Sequence, residues 1–149
     1  MMDMEKLLPH RDPFLLVDTI VSCDKERIVG TKLFAEDMVF FKGHFPGYPV
    51  VPGVLLIESM AQCGGAGINS LGLLGDALFF LGSVEKAKFR RQVRPGETVR
   101  FEIENLRISP RTLKQRGKAF VNKELAAEAE WLCLVDTSKK PGSPEGEKA

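Results

Sequence analysis

The spacing of apolar residues separates a helical part of the chain from a later part rich in strands. Positions 54–61 are apolar at six of eight places. A helix that is apolar almost all round is expected to be enclosed by other structure. Pro52 suits the first turn of such a helix, because the N–H that proline lacks is not needed there. The pattern predicts a buried helix from about Gly53 towards Leu71.

After about residue 76, apolar residues recur at every second position, as on strands with one buried face. Val99, Phe101 and Ile103, for example, alternate with charged residues. The pair Pro95-Gly96 marks a turn. One helix and an antiparallel meander make an α+β fold, and the early stretch 14–23 fits either a helix or a strand. The predicted strands, one of them before the helix, cover 27–35, 77–84, 87–94, 98–108, 114–121 and 126–135.

Composition indicates one domain. The chain has 149 residues, 44% of them hydrophobic, and a formal net charge of +1. That is enough for a single core, which we place at 1–135, and the polar segment 136–149 is expected to be a disordered tail. Balanced charge argues against nucleic-acid binding. No apolar stretch is long enough for a membrane span and no secretory signal is recognised, so a cytoplasmic protein is expected.

The cysteines and the helix glycines indicate no metal, disulfide or nucleotide site. Cys23, Cys63 and Cys133 are odd in number and far apart. They are expected to be buried thiols. The glycine-rich segment 64–67 lacks the spacing of a dinucleotide loop and does not follow a strand. It predicts instead that the sheet approaches the helix closely.

The loop at 43–53 and the helix after it carry the strongest candidate for chemistry. Three prolines and three glycines indicate that this loop has ordered, irregular backbone. His44 lies in the loop and Glu58 on the apolar helix. Histidine transfers protons near neutral pH, and a carboxylate among apolar residues is costly without a partner or a task. The pair predicts a proton-transfer site, and Gln62, four residues after Glu58, is placed to orient the carboxyl group.

Each candidate also has a purely structural interpretation. A histidine beside Phe and Pro is often a hydrogen-bonded loop residue. Glu58 alone fits a buried carboxylate that caps a neighbour, and Gln62 alone fits an ordinary helix residue. Tyr48 fits either a lid on the loop or a solvent-facing side chain. His10 is interpreted as structural, because the sequence reveals no partner for it. Four apolar residues of the strand region are interpreted mainly as core: Phe79, Phe80, Leu81 and Phe89.

These residues resemble a known family. The pattern His44-Phe45-Pro46-Gly47-x-Pro49-Val50-x-Pro52-Gly53-Val54-Leu55, followed by Glu58 and Met60-Ala61-Gln62, resembles the (3R)-hydroxyacyl-acyl carrier protein dehydratases of the FabZ type. Segments 8–18 and 86–96 are also similar, so the resemblance covers about residues 5–135. Asp12 departs from the aromatic residue that the family commonly has, and Val51 from methionine.

The resemblance implies a hot-dog fold, in which an antiparallel sheet wraps around a long central helix. It also implies a homodimer with a continuous sheet, usually assembled into a trimer of dimers. Each active site would then take its histidine from one chain and its carboxylate from the other.

The implied reaction is dehydration of a (3R)-3-hydroxyacyl chain on acyl carrier protein to the trans-2-enoyl product, in type II fatty acid biosynthesis and without a metal or organic cofactor. His44 is expected to remove the C2 proton and Glu58 to act as the acid towards the leaving hydroxyl. The N–H of Gly53 matches the family's oxyanion donor. The carbonyl of Val50 matches the group that orients the histidine ring.

Two other functions stay open at this point. A hot-dog acyl thioesterase would use a carboxylate or histidine to activate water. A non-catalytic acyl-binding subunit would be expected to lack His44 or Glu58. The presence of both residues favours the dehydratase.

A run of basic residues is either a solvated surface or a docking site for acyl carrier protein. The candidates are Lys86, Lys88, Arg90, Arg91 and Arg94. A competing cluster comprises Arg107, Arg111, Lys114 and Arg116.

Overall fold

The structure is a computed structural model that describes residues 2–138, with one long helix and a six-stranded antiparallel sheet. The helical segments are α1 (Met4–Leu7), a 3₁₀ helix (Val39–Lys42) and α2 (Gly53–Leu71). The strands are β1 (Thr19–Cys23), β2 (Arg27–Leu33), β3 (Leu78–Phe89), β4 (Thr98–Ile108), β5 (Thr112–Val121) and β6 (Glu124–Asp136). Their order in the sheet is β1-β2-β4-β5-β6-β3. Beyond residue 138, the tail predicted at 136–149 lies outside the described residues. None of the helices within 2–138 is both long and apolar enough to cross a membrane.

The long helix α2 begins and ends as predicted. Pro52 precedes it with φ −56°, and Gly72 closes it in the left-handed region at φ 70°. Glu58 is the one charged residue in the helix. Since α2 contacts all six strands, the sheet curves around it. This arrangement confirms the α+β hot-dog fold.

The sheet reaches α2 closely because helix positions facing it lack a side chain. A Cβ on Gly67 would lie 2.6 Å from Ile28 Cδ1. One on Gly64 would overlap the side-chain amide of Gln115, which is fully buried and accepts a hydrogen bond from the Trp131 indole at 3.1 Å. The close approach of the sheet to the helix, predicted from the glycines of segment 64–67, is confirmed.

Replacing Gly64 by alanine is expected to lower the free energy of unfolding by about 2 kcal/mol, because Gln115 cannot retreat without losing its bond to Trp131. The cost exceeds the gain in helix propensity of about 1 kcal/mol. Urea unfolding at fixed protein concentration measures the change. The matched control is Gly43→Ala, in a loop where an added Cβ meets nothing within 4 Å. Equal effects of the two substitutions would contradict the packing argument.

The strand prediction is wrong at one place. The two segments predicted as 77–84 and 87–94 belong to one continuous strand, β3, which ends at Phe89. Residues 90–94 therefore lie outside it. Its pairing with β6 shifts register twice, between Leu81 and Ser83 and between Glu85 and Lys88. Such bulges interrupt the alternation of apolar and polar residues on which strand prediction depends. The other predicted strands agree with the structure to within two residues at each end, and the stretch 14–23 supplies β1.

The thiols are free, and two of the three are buried as predicted. Cys63 and Cys133 are buried, whereas Cys23 is half-buried beside the end of α2. Burial raises the pKa of the Cys133 thiol to about 12, and it also raises the pKa of Cys23. Both thiols therefore stay protonated at neutral pH.

Candidate active site

His44 is held by the loop between the 3₁₀ helix and α2. Its N–H donates to the Phe40 carbonyl at 3.1 Å, and its carbonyl accepts the Val50 N–H at 2.9 Å. Its ring Nδ1 lies 3.0 Å from the Val50 carbonyl oxygen. Because a carbonyl oxygen can only accept, Nδ1 carries the proton, and Nε2 of the neutral ring is a free base. The loop thus sets both the direction and the tautomer of the imidazole.

Glu58 lies on the second turn of α2 and is oriented by Gln62. The Gln62 Nε2 donates to Glu58 Oε2 at 2.8 Å and to the Phe14 carbonyl at 3.0 Å. The Gln62 Oε1 accepts the Leu16 N–H at 2.8 Å. Because the Leu16 N–H can only donate, the amide of Gln62 has one orientation, and it presents a donor to the carboxylate.

His10 lies beside the same carboxylate, which is a partner that the sequence did not reveal. Its Nε2 is 3.5 Å from Glu58 Oε2. The loop after α1 carries it there, because α1 packs against α2. The two residues are 48 positions apart in the chain. Only the tertiary packing of the first helix brings them together, and no local spacing signals it.

Gly53 is the first residue of α2. The N–H groups of a helix's first turn have no partner within the helix and carry a partial positive charge, which suits an oxygen that becomes negative. A Cβ on Gly53 would lie 2.8 Å from the ring of Phe89. The close approach of Phe89 therefore requires glycine here.

The two candidate proton-transfer groups line different clefts of one chain. His44 and Gly53 line the first cleft. Glu58, Gln62 and His10 line the second. The two sets of lining residues have no member in common. A single chain holds each group in position but does not place both in one cleft.

The apolar residues of β3 are less buried than the sequence suggested. Phe80, Leu81 and Phe89 are 53%, 43% and 52% exposed, so their interpretation as core is wrong. Phe79 packs against the core, and it also lines the second cleft together with Leu81. The physical reason is that β3 is an edge strand, with no sheet neighbour on one side among residues 2–138.

Tyr48 links the His44 loop to the segment after β3. Its hydroxyl donates to Gln92 Oε1 at 2.8 Å, and the Arg94 guanidinium lies 4.4 Å from the centre of its ring. A cation over an aromatic face is attracted by the ring quadrupole. The side chain is 47% exposed, so one face is held while the rest meets solvent.

Three of the five basic residues at 86–94 already have carboxylate partners. Arg91 lies 2.8 Å from Glu97 and 3.2 Å from Glu124. The other two pairs are Arg90 with Glu128 and Lys86 with Glu130. Within 2–138, no carboxylate oxygen lies within 4.0 Å of the Lys88 ammonium or the Arg94 guanidinium, although the backbone N–H of Arg94 donates to Glu97 Oε1 at 2.7 Å. In the competing cluster Arg116 is paired with Glu104 and Glu130.

Solved structures share the fold. The chain matches a structure described as the dehydratase heterocomplex ApeI:P from Xenorhabdus doucetiae with a TM-score of 0.80 and 13% identity, over 94% of this chain and 95% of that one. It also matches a mutant thioesterase PA1618 from Pseudomonas aeruginosa, with a TM-score of 0.60 and 12% identity, over 80% of both chains. At such low identities the likeness concerns the fold alone.

Sequence relatives are much more similar. The chain is 48% identical over 133 residues to the 3-hydroxyacyl-[acyl-carrier-protein] dehydratase FabZ of Desulforamulus reducens, covering 89% of this chain and 94% of that protein. It is 43% identical over 145 residues to the protein of the same name from Koribacter versatilis, covering 96% and 92%. The model of the FabA-like domain matches residues 8–130. The chain therefore belongs to the FabA-like family and, within it, to the FabZ-type dehydratases.

Proposed function

We propose that this protein dehydrates (3R)-3-hydroxyacyl chains on acyl carrier protein to trans-2-enoyl chains in type II fatty acid biosynthesis, in the cytoplasm. One observation carries the proposal. His44, with a free Nε2 set by the Val50 carbonyl, lies in a chain that is 48% identical to a FabZ dehydratase over 94% of that protein. The elimination transfers protons and leaves the overall oxidation state unchanged, so the proposal rests on side chains and backbone groups alone.

In this proposal His44 is the base and Glu58 the acid. Nε2 of His44 takes a proton from C2, and the electron pair of that bond forms the C2–C3 double bond. The C3–O bond breaks as the Glu58 carboxyl protonates the hydroxyl, which leaves as water. The N–H of Gly53 donates to the thioester oxygen, where negative charge develops. His44 then holds one extra proton and Glu58 lacks one, so a proton returns to Glu58 directly or through solvent before the next turnover.

We infer that two chains build each site. Because one chain places His44 and Glu58 in different clefts, the first cleft of one copy has to meet the second cleft of another. The edge strand β3 is 12 residues long and mostly exposed, so a second β3 can pair with it and continue the sheet. Next to His44, Phe45 and Val54 add exposed apolar surface. A trimer of such dimers is the larger assembly that we propose.

The proposed reaction is tested by giving the purified protein a 3-hydroxyacyl thioester and following enoyl absorbance and free thiol together. The dehydratase produces enoyl product with the thioester intact. Thiol release without enoyl product would indicate a thioesterase, and no turnover on either signal would indicate an acyl-binding subunit.

We propose that acyl carrier protein docks on the basic residues at 86–94. Lys88 and Arg94 contribute most of the electrostatic attraction in this proposal. Both are exposed, and among the described residues neither charged side-chain group has a carboxylate oxygen within 4.0 Å. The neighbouring residues Arg90 and Arg91 border the His44 cleft but are already paired. An acidic partner gains most from cations that have no carboxylate partner.

The double charge reversal Lys88→Glu with Arg94→Glu is expected to raise KM for the carrier-bound substrate about tenfold at low salt, since two attractive contacts become repulsive. KM for a small soluble thioester with the same acyl chain should stay unchanged. Steady-state kinetics on both substrates measure the effect. The matched control is Arg107→Glu with Arg111→Glu in the competing cluster. A larger effect of the control pair would move the docking site to that cluster.

A further inference from the structure

We propose that His10 is a positioning residue for Glu58 and that His10 and Gln62 together hold one carboxylate oxygen so that the other faces the substrate. The inference deepens the proposed function and rests on Glu58 being its acid. It assigns a role to the loop after α1, which lies outside the His44 motif.

Two side-chain nitrogens lie close to a single oxygen of Glu58. The Gln62 Nε2 donates to Oε2 at 2.8 Å, and the His10 Nε2 lies 3.5 Å from the same oxygen. No donor from the described part of the chain reaches Oε1. The His10 contact is longer than an ordinary hydrogen bond. Contacts of this kind in catalytic sites commonly shorten when the reactive complex forms. Oε1 is thus the oxygen that can meet a hydroxyl group.

The tautomer of His10 is consistent with an Nε2–H that faces Glu58. Its Nδ1 is buried and has no hydrogen-bond partner among residues 2–138. In the neutral ring only one nitrogen carries a proton, so a bare Nδ1 places that proton on Nε2, which faces the carboxylate. A side chain retained for packing alone gains nothing from a buried polar atom without a partner.

Hydrogen bonds to the backbone around His10 and a ring contact hold the imidazole in position. Arg11 Nη1 donates to the Leu8 carbonyl at 2.9 Å and to the His10 carbonyl at 2.7 Å. The imidazole stacks on the Phe14 ring with centroids 6.4 Å apart. Phe14 also accepts from Gln62 through its carbonyl, so the same short segment holds both donors.

The other walls of this cleft bring no competing charge. β6 contributes the Cys133 thiol, and its pKa is raised to about 12 by burial and, secondarily, by the Glu58 charge, so it stays neutral. β3 contributes Phe79 and Leu81, which cannot ionise. Among the described residues that line the cleft, His10 is therefore the one group besides Gln62 suited to orient the carboxylate.

A matched pair of substitutions separates positioning from packing. The amide nitrogen of glutamine reaches about as far as Nε2 of histidine, whereas that of asparagine ends near Nδ1. We expect His10→Gln to keep kcat within about threefold of the wild type and His10→Asn to lower kcat about tenfold, with KM nearly unchanged. Both variants lose the ring and its contact with Phe14, so a purely structural role would affect them alike.

Steady-state kinetics and melting temperatures of both variants decide the question. Equal kcat values for the two variants, or losses that follow the melting temperature instead of the side chain's reach, would overturn the positioning role. Enoyl formation by the wild type is measured first. Its absence would overturn the proposed function itself, and the two failures are therefore distinguishable.

Discussion

Replacing His44 by alanine is expected to lower kcat/KM for enoyl formation by about a thousandfold, because the C2 proton then has no base within reach. The alternative acceptors are poor. In the proposed two-chain site the Glu58 of the other chain serves as the acid towards the C3 hydroxyl, and the Val50 carbonyl next to the ring is not basic. Spectrophotometry of the enoyl product at saturating and limiting substrate gives kcat and kcat/KM separately.

The fold of the variant should be unchanged, since the backbone bonds of His44 to Phe40 and Val50 do not involve the ring. Circular dichroism and the assembly state provide that control. Added imidazole can enter the space left by the ring, and partial recovery of activity would identify the missing group as a base. A His44→Ala protein that keeps more than about a tenth of the wild-type rate would exclude this histidine as the base.

The sequence was sufficient for α2 and its neighbours, because their signals are local. Pro52 and Gly72 mark the two ends of α2 through their own backbone angles, and an apolar surface on all sides requires a surrounding sheet. The link from Gln62 to Glu58 follows from helical spacing of four residues. Each of these features needs only residues that are close in the chain.

The features that were missed depend on the register and packing of distant segments. The bulges of β3 become visible only when it is paired with β6. The same pairing places Glu128 against Arg90, so the sequence could not show which cations of the basic run were neutralised. His10 reaches Glu58 only because α1 packs on α2. Long-range placement, rather than composition or motif, decides all three.

The separation of His44 and Glu58 into two clefts predicts that two inactive variants complement each other when their chains are mixed. The variants His44→Ala and Glu58→Gln are each expected to be nearly inactive as pure proteins. Unfolding and refolding them together should restore about a quarter of the wild-type rate. Half of the randomly formed dimers are mixed, and in each mixed dimer one of the two sites receives an intact His44 from one chain and an intact Glu58 from the other.

The choice of Glu58→Gln keeps the helix packing intact, because an amide oxygen can still accept from Gln62 at the position of Oε2. In the matched control, His44→Ala is refolded with a chain that carries both substitutions. Neither of these chains has an intact His44, so no dimer contains a complete site. If each chain used its own His44 and Glu58, every chain in the first mixture would lack one of them, and no activity would return. Recovery in the first mixture and not in the control would establish that the acid and the base come from different chains.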